Sequence, residues 1–234
     1  MMRLFWIVLI GAGLTACSSV NINSYSPKQY PITSDFQVSK SIDSIISPYR
    51  DSLEVEMLEV IGKADNNFER GRPNGALNNW IADAMINSQM IEDENNPPII
   101  CLLNYGSLRN PLNKGDITVG DVYQLMPFDN VVVWAKMPMS SKKEIENYIN
   151  TTGGEPIAGA AIENGELQFE NSNLQSDYFW VITSDYLLNG GDHMDFFKNR
   201  IEEHNSGILL RDLLLEAVKE QGTLNFSNEI RIKI

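Results

Sequence analysis

The chain is 234 residues long, with 18 Lys and Arg against 31 Asp and Glu for a formal net charge of −13, and 43% of it is hydrophobic and 9% aromatic. That is enough apolar material for one sizeable domain or two small ones, and it excludes disorder throughout. The acidity, with no basic run longer than Lys142-Lys143, argues against a nucleic-acid polymer or an anionic membrane surface as partner, because both demand a basic footprint; a small anion held by one or two arginines stays compatible.

In chain order, Arg3 precedes an almost wholly apolar run from Leu4 to Ala16, shorter than the roughly 20 residues a spanning helix needs. Residues 1–16 read as a secretory signal peptide. The run ends in Leu14-Thr15-Ala16-Cys17 and is followed by Ser18-Ser19, which resembles the lipobox of bacterial lipoproteins, where the Cys is acylated on its sulfur and becomes the first residue after cleavage. The expectation is a chain anchored by lipid on Cys17 to a bacterial membrane, on its periplasmic or cell-surface side; an ordinary signal peptide with an unpaired Cys, or a short membrane anchor, is the alternative. Residues 17–34, rich in Ser, Asn, Pro and Tyr without periodicity, read as a tether, and 35–234 as a single domain. Only Cys17 and Cys101 occur, so lipid on the first leaves neither an intrachain disulfide nor a thiolate metal site.

Asp35 reads as a helix cap. Ile42, Ile45, Ile46, Tyr49 and Leu53 recur at helical spacing, with Pro48 expected to kink or divide the helix. Val55 to Ile61 alternates with acidic residues and predicts a strand. After the turn at Arg70 to Gly75, Leu77, Trp80, Ile81, Ala84 and Met85 mark a second amphipathic helix, which Pro97-Pro98 keeps from continuing. Ile99 to Leu103 predicts a short buried strand, with Cys101 a small hydrophobe rather than a nucleophile. Gly115 to Asp121 leads into a short helix at Val122 to Leu125, and Val131 to Ala135 is a further strand. Ser141 to Asn150 predicts a polar helix ended by Gly153-Gly154; Tyr178 to Thr183 predicts a strand running into Asn189-Gly190-Gly191-Asp192. Leu209, Leu210, Leu213, Leu214, Ala217 and Val218 form the last helical stripe. Strands and helices mixed without strict alternation imply an α+β fold, a mixed β-sheet packed with helices, with no internal repeat.

The inventory excludes several chemistries. The chain has 2 histidines, His193 and His204, in no H-x-x-H, H-E-x-x-H or D-x-H spacing, so a self-contained dinuclear metal site is not expected. No G-x-S-x-G elbow, G-x-G-x-x-G or G-x-x-x-x-G-K-[ST] is present. Three segments nevertheless join aromatic or cationic residues to hydrogen-bonding side chains on turns beside strands: Asn104 to Arg109, Pro127 to Asn130, and Asp185 to Asp192.

Together these segments look like the C-terminal domain of bacterial 5′-nucleotidases. Its signatures run approximately Asn-Gly-Gly-Gly-Ile-Arg, Gly-Asp-Ile-Thr-x-Gly-Asp-x-Tyr, Pro-Phe-x-Asn before a Val-rich strand, and an aromatic residue ahead of Gly-Gly-Asp. Here they stand at Asn104 to Arg109, Gly115 to Tyr123, Pro127 to Val133 and Tyr186 to Asp192, and Leu77 to Ala84 is similar to the family's Leu-Gly-Asn-Leu-Ile-Ala-Asp-Ala helix. Tyr105 and Ser107 replace two glycines of the first signature, Asn74 and Asn78 stand where Glu and Gly are usual, and His193 follows Gly-Gly-Asp in place of Gly. The resemblance implies a nucleoside-recognition domain. Phe128 and Tyr186 would sandwich a base, Asn130 would read a ring edge, Asp192 would accept ribose hydroxyls, and Arg109 would hold a sugar or phosphate oxygen, with Arg70 or Arg72 as a second cation.

Family members also carry an N-terminal metallophosphoesterase domain that holds two metals, for which this chain lacks the histidines. The implied function is the nucleoside- or nucleotide-recognition component of a 5′-nucleotidase-type hydrolase in extracytoplasmic nucleotide catabolism, working with a separate metallophosphoesterase subunit. Divalent metals are expected only in that partner, and this chain alone is not expected to be catalytic. The alternatives are a non-enzymatic lipoprotein binding a nucleoside or other aromatic ligand, and a domain that has kept the fold for a structural role.

Overall fold

The computed structural model describes residue 31 and residues 39–88, 93–170 and 175–234. The predicted leader, Cys17, the Asp35 cap and all of the tether but residue 31 lie outside the described residues. The chain divides into a unit Met1–Ile46 and a unit Ser47–Ile234; the latter holds every strand described below.

Helix α1 (Lys40–Met57) carries Pro48 in its interior and buries none of its side chains. Its predicted apolar stripe faces solvent, with Ile45 67% and Tyr49 72% exposed. The strand expected from Val55 starts later: α1 continues to Met57, and β1 is Val60–Ala64. Val55 and Leu58 lie exposed, so the alternation there marks no buried face. Helix α2 (Ala76–Ser88) buries Leu77, Trp80, Ile81, Ala84 and Met85, the predicted stripe. β2 (Ile99–Leu102) follows, with Cys101 fully buried and its thiol pushed far above its ordinary range, first by desolvation. β3 (Gly115–Thr118) and α3 (Val119–Leu125) are joined by a capping box: the Asp121 amide donates to Thr118 Oγ1 at 3.2 Å and the Thr118 amide donates to Asp121 Oδ2 at 2.8 Å. β4 is Val131–Pro138, longer than predicted. α4 (Lys142–Thr152) stops at Gly153, whose φ of +79° is the left-handed cap that residues with a Cβ rarely adopt.

A run of short strands follows, β5 (Ile157–Ala158), β6 (Ala160–Glu163) and β7 (Glu166–Phe169), then β8 (Tyr178–Ser184), in which every residue after Tyr178 is buried. A single helical turn, α5 (Asp185–Leu188), leads by way of two 3₁₀ turns to β9 (Glu202–Leu209). Helix α6 (Leu210–Gln221) buries Leu213, Leu214, Ala217 and Val218, and β10 (Thr223–Leu224) and β11 (Ile232–Lys233) follow it.

The strands form three sheets, ordered β10-β1-β3, β11-β6-β7 and β5-β2-β8-β4-β9. α2 packs against β2, β5 and α6, and α6 against β1 and β9, so the two helices share one core with the large sheet. Arg231, 8% exposed, fastens the C-terminal segment to α2 through a bidentate pair with Asp83 at 2.8 and 2.9 Å. No helix among the described residues is long and apolar enough to cross a membrane.

The register of the large sheet decides where loops meet. β2 runs parallel to β8, and β4 antiparallel to β8, with Val132 opposite Ser184. The segments leaving β2 and β8 therefore emerge at the sheet end where the segment feeding β4 arrives. Those are the three segments singled out in the sequence.

Candidate functional site

The first segment leaves β2 through Leu103 and turns at Tyr105–Ser107. Its backbone is fastened from several sides. The Tyr105 amide donates to Glu155 Oε2 at 2.5 Å, Ser107 Oγ to the Asn104 carbonyl at 2.8 Å, the Arg109 amide to the Leu125 carbonyl at 2.9 Å, and Arg70 Nη1 to the Leu108 carbonyl at 2.6 Å. The second segment, Pro127 to Asn130, is tied to the third by Asp185, whose Oδ1 accepts the Val131 and Tyr186 amides at 2.9 Å each. It is also held by α6, where Arg211 Nη2 donates to Asp129 Oδ1 at 2.8 Å and the Leu210 amide to the Asn130 carbonyl at 2.8 Å.

The third segment starts at α5, capped by Ser184 Oγ, which accepts the Leu187 amide at 3.3 Å. It then bends sharply. A Cβ on Gly191 would lie 2.5 Å from the Tyr186 ring and 2.6 Å from the Tyr186 carbonyl, so only glycine admits this approach. Asp192 follows at φ +50°.

Asp192 is the hub of the polar network. Its Oδ1 accepts the Tyr186 hydroxyl at 2.9 Å, its Oδ2 accepts Asn104 Nδ2 at 2.6 Å, and its carbonyl accepts the Tyr148 hydroxyl at 2.9 Å. The Asp192 carboxylate, by accepting the hydroxyl, holds the Tyr186 phenol above its ordinary range. Burial, helped by the charges of Glu155 and Asp192, pushes the Tyr148 phenol up to about 12. Both remain donors at neutral pH.

These segments enclose a cavity of about 310 Å³ lined by Asn104, Gly106, Ser107, Arg109, Phe128, Asn130, Tyr186 and Asp192. Of the predicted site residues, Arg109, Phe128, Asn130, Tyr186 and Asp192 meet there. Phe128 is 37% and Tyr186 46% exposed; both rings stand open to solvent instead of filling the core. The Arg109 guanidinium donates to the Gly106 carbonyl at 3.3 Å and lies 5.9 Å from the Phe128 ring centre. Arg70 and Arg72 do not line the cavity. Their guanidinium groups lie over the Tyr105 ring, 4.7 and 4.6 Å from its centre, and Arg72 pairs with the buried Glu155 at 2.6 Å.

Sequence reasoning assigns no role to Asn104, Tyr148 or Glu155. Asn104 has a signal, as the first residue of a recognised motif. Glu155 and Tyr148 have none, since their partners lie 50 and 44 positions away. Asn78, one of the departures from the family pattern, clips the chain ahead of α2: its Nδ2 donates to the Gly71 carbonyl at 2.9 Å and its Oδ1 accepts the Gly71 amide at 3.2 Å. Among the described residues no group of three or more His, Cys, Asp or Glu is placed to hold a metal ion.

Fold and site together define an α+β domain with a half-open cavity, two aromatic rings and a small set of fixed polar groups, built on the loops at one end of a mixed sheet. The family model described as 5′-nucleotidase, C-terminal domain, matches residues 60–138, the stretch that holds the motifs from Leu77 to Val133. The chain is 33% identical over 121 residues to endonuclease YhcR of Bacillus subtilis (strain 168), a match covering 50% of this chain and 9% of that protein. It is 25% identical over 219 residues to the trifunctional nucleotide phosphoesterase protein YfkN of the same strain, covering 82% of this chain and 15% of that protein. The fold is similar to that of a 5′-nucleotidase precursor from Thermus thermophilus, with a TM-score of 0.65, 22% identity, and coverage of 82% of this chain and 42% of that one. The chain thus spans less than half the length of each of these relatives.

Proposed function

We propose that this chain is the nucleoside- or nucleotide-recognition component of a 5′-nucleotidase-type hydrolase, acting with a separate metallophosphoesterase subunit that supplies the metals and the hydrolysis. The observation that carries the reading is the placement of Phe128 and Tyr186 on one cavity with Asn130, Asp192 and Arg109. Two exposed rings supply stacking faces for a planar base, and stacking tolerates any base because each has a π-face. Asn130 offers donors and an acceptor to a ring edge. The Asp192 carboxylate, with one lone pair of each oxygen engaged by Tyr186 and Asn104, keeps the others for sugar hydroxyls. Lipid on Cys17 would place the domain on the periplasmic or cell-surface side of a membrane, where extracytoplasmic nucleotides are degraded.

Calorimetric titration with adenosine tests the reading. Phe128→Ala or Tyr186→Ala, each removing one stacking face, is expected to weaken binding by about 1–3 kcal/mol, roughly five- to two-hundred-fold. The melting temperatures of both variants should stay near that of the parent, because neither ring is buried. A parent chain that binds no nucleoside at millimolar concentration would overturn the reading, as would a Phe128→Ala chain that unfolds.

A further inference from the structure

We infer, building on the recognition reading above, that the cavity selects the uncharged nucleoside over the nucleoside 5′-monophosphate. A phosphomonoester carries about −1.5 to −2 charge at neutral pH and needs cations free to meet it. Among the described residues, Arg109 is the one cation lining the cavity, and it shares the lining with the Asp192 carboxylate. The two charges offset each other.

Arg70 and Arg72, the other two arginines predicted for the site, are engaged elsewhere, as is Arg211, which donates to Asp129 Oδ1 at 2.8 Å and lies 4.3 Å from the Tyr123 ring centre. Arg70 gives Nη1 to the carbonyl of Leu108, a residue with no exposed surface, at 2.6 Å. Arg72 gives Nη2 to Glu155, whose side chain is 1% exposed, at 2.6 Å. Turning Arg72 toward a phosphate would strip a buried carboxylate of its charged partner, a loss no flexible surface arginine faces. Tyr105 adds a second restraint, since both guanidinium groups lie against its ring and a cation on an aromatic face gives up that attraction by leaving. Tyr105 stands at a position where the recognised motif has glycine, so this restraint comes from a side chain that the motif lacks.

The experiment is a pair of calorimetric titrations of the full chain at neutral pH, one with adenosine and one with adenosine 5′-monophosphate. Adenosine is expected to bind more tightly than the monophosphate. Glu155→Gln, which keeps an acceptor for the Tyr105 amide but removes the charge holding Arg72, is expected to move the affinity ratio roughly fivefold toward the monophosphate. Tyr105→Gly should move it in the same direction, and Glu155→Gln, nearly isosteric, carries the test if the glycine variant does not fold. A parent chain that binds the monophosphate as tightly as adenosine, or more tightly, would overturn the selectivity while leaving the nucleoside site standing. A ratio unmoved by Glu155→Gln would overturn the restraint on Arg72 and the inference with it. Failure of both ligands to bind would instead overturn the recognition reading itself.

Discussion

Tyr148 donates its hydroxyl to the Asp192 carbonyl at 2.9 Å and packs edge-on against Phe196 at 5.7 Å, while Asp192 stands in left-handed backbone. A non-glycine residue enters that region at a cost of about 1–2 kcal/mol, so the Tyr148 hydrogen bond helps hold the turn that aims the Asp192 carboxylate. Tyr148→Phe keeps the ring contact and deletes the bond, and should lower stability by about 1 kcal/mol in denaturant titration. Glu155 yields a pH prediction. Burial raises its carboxyl above the ordinary range, outweighing the Tyr105 amide and the Arg72 charge, which act to lower it. The fold therefore holds this proton more tightly than the unfolded chain does. Its contribution to stability is fully present below the unfolded carboxyl's pKa and is lost as pH rises through the raised folded value. Melting curves across the acid range should show this contribution in the parent and lose it in Glu155→Gln; identical pH profiles for the two proteins would refute the assignment. The aromatic and polar residues lining the cavity are readable in the sequence because each sits inside a short motif. Glu155 and Tyr148 are not, because a contact between distant positions leaves no local pattern.

At the scale of elements, what can be read in advance follows burial. The α2 and α6 stripes and the buried strands β2, β4 and β8 carry dense apolar residues at a clear period and lie close to their predicted places. β9 escapes because it is an edge strand with mostly exposed residues, and its Glu-Glu-His-Asn-Ser-Gly sequence has no apolar alternation. The short β5, β6 and β7 offer too few residues for a period to register. In the Gly-Asp-Ile-Thr-Val-Gly-Asp stretch the switch from β3 to α3 falls at Thr118, where a reciprocal cap closes the helix end. Thr118→Ala leaves the Asp121 amide without its acceptor and removes the hydroxyl that donates to Asp121 Oδ2 at 2.7 Å. The expected loss is about 0.5–2 kcal/mol, measured as a lower denaturant midpoint with an unchanged slope. A variant as stable as the parent would mean that the box contributes nothing to the fold.

For the molecule as a whole, the sequence motifs and the fold both resemble the C-terminal domain of 5′-nucleotidases, and the proposed function divides recognition from catalysis between two chains. On that division the anchor and the domain are separable: Cys17→Ala should release the protein from membranes in fractionation while its thermal melt stays that of the parent, since the proposed tether separates lipid from domain. The same division bears on activity. Hydrolysis of a phosphomonoester by paired metals needs ligands, and histidine is the commonest of them, yet the chain has 2. His204 contacts the Trp134 and Trp180 rings and pairs with Glu202, on β9 and away from the cavity lining. His193 follows Asp192 but does not line the cavity either. Arg109, Asn130 and Asp192 can bind and orient a ligand but assemble no activated nucleophile with a base beside it. The purified chain, given Mn²⁺, Co²⁺ or Zn²⁺, is therefore expected to release no phosphate from adenosine 5′-monophosphate, and phosphate release should appear when a metallophosphoesterase co-purified from the native source is added back. Metal-dependent turnover that follows the single chain through successive columns, and that falls in Phe128→Ala, would place the chemistry in this chain and end the division of labour.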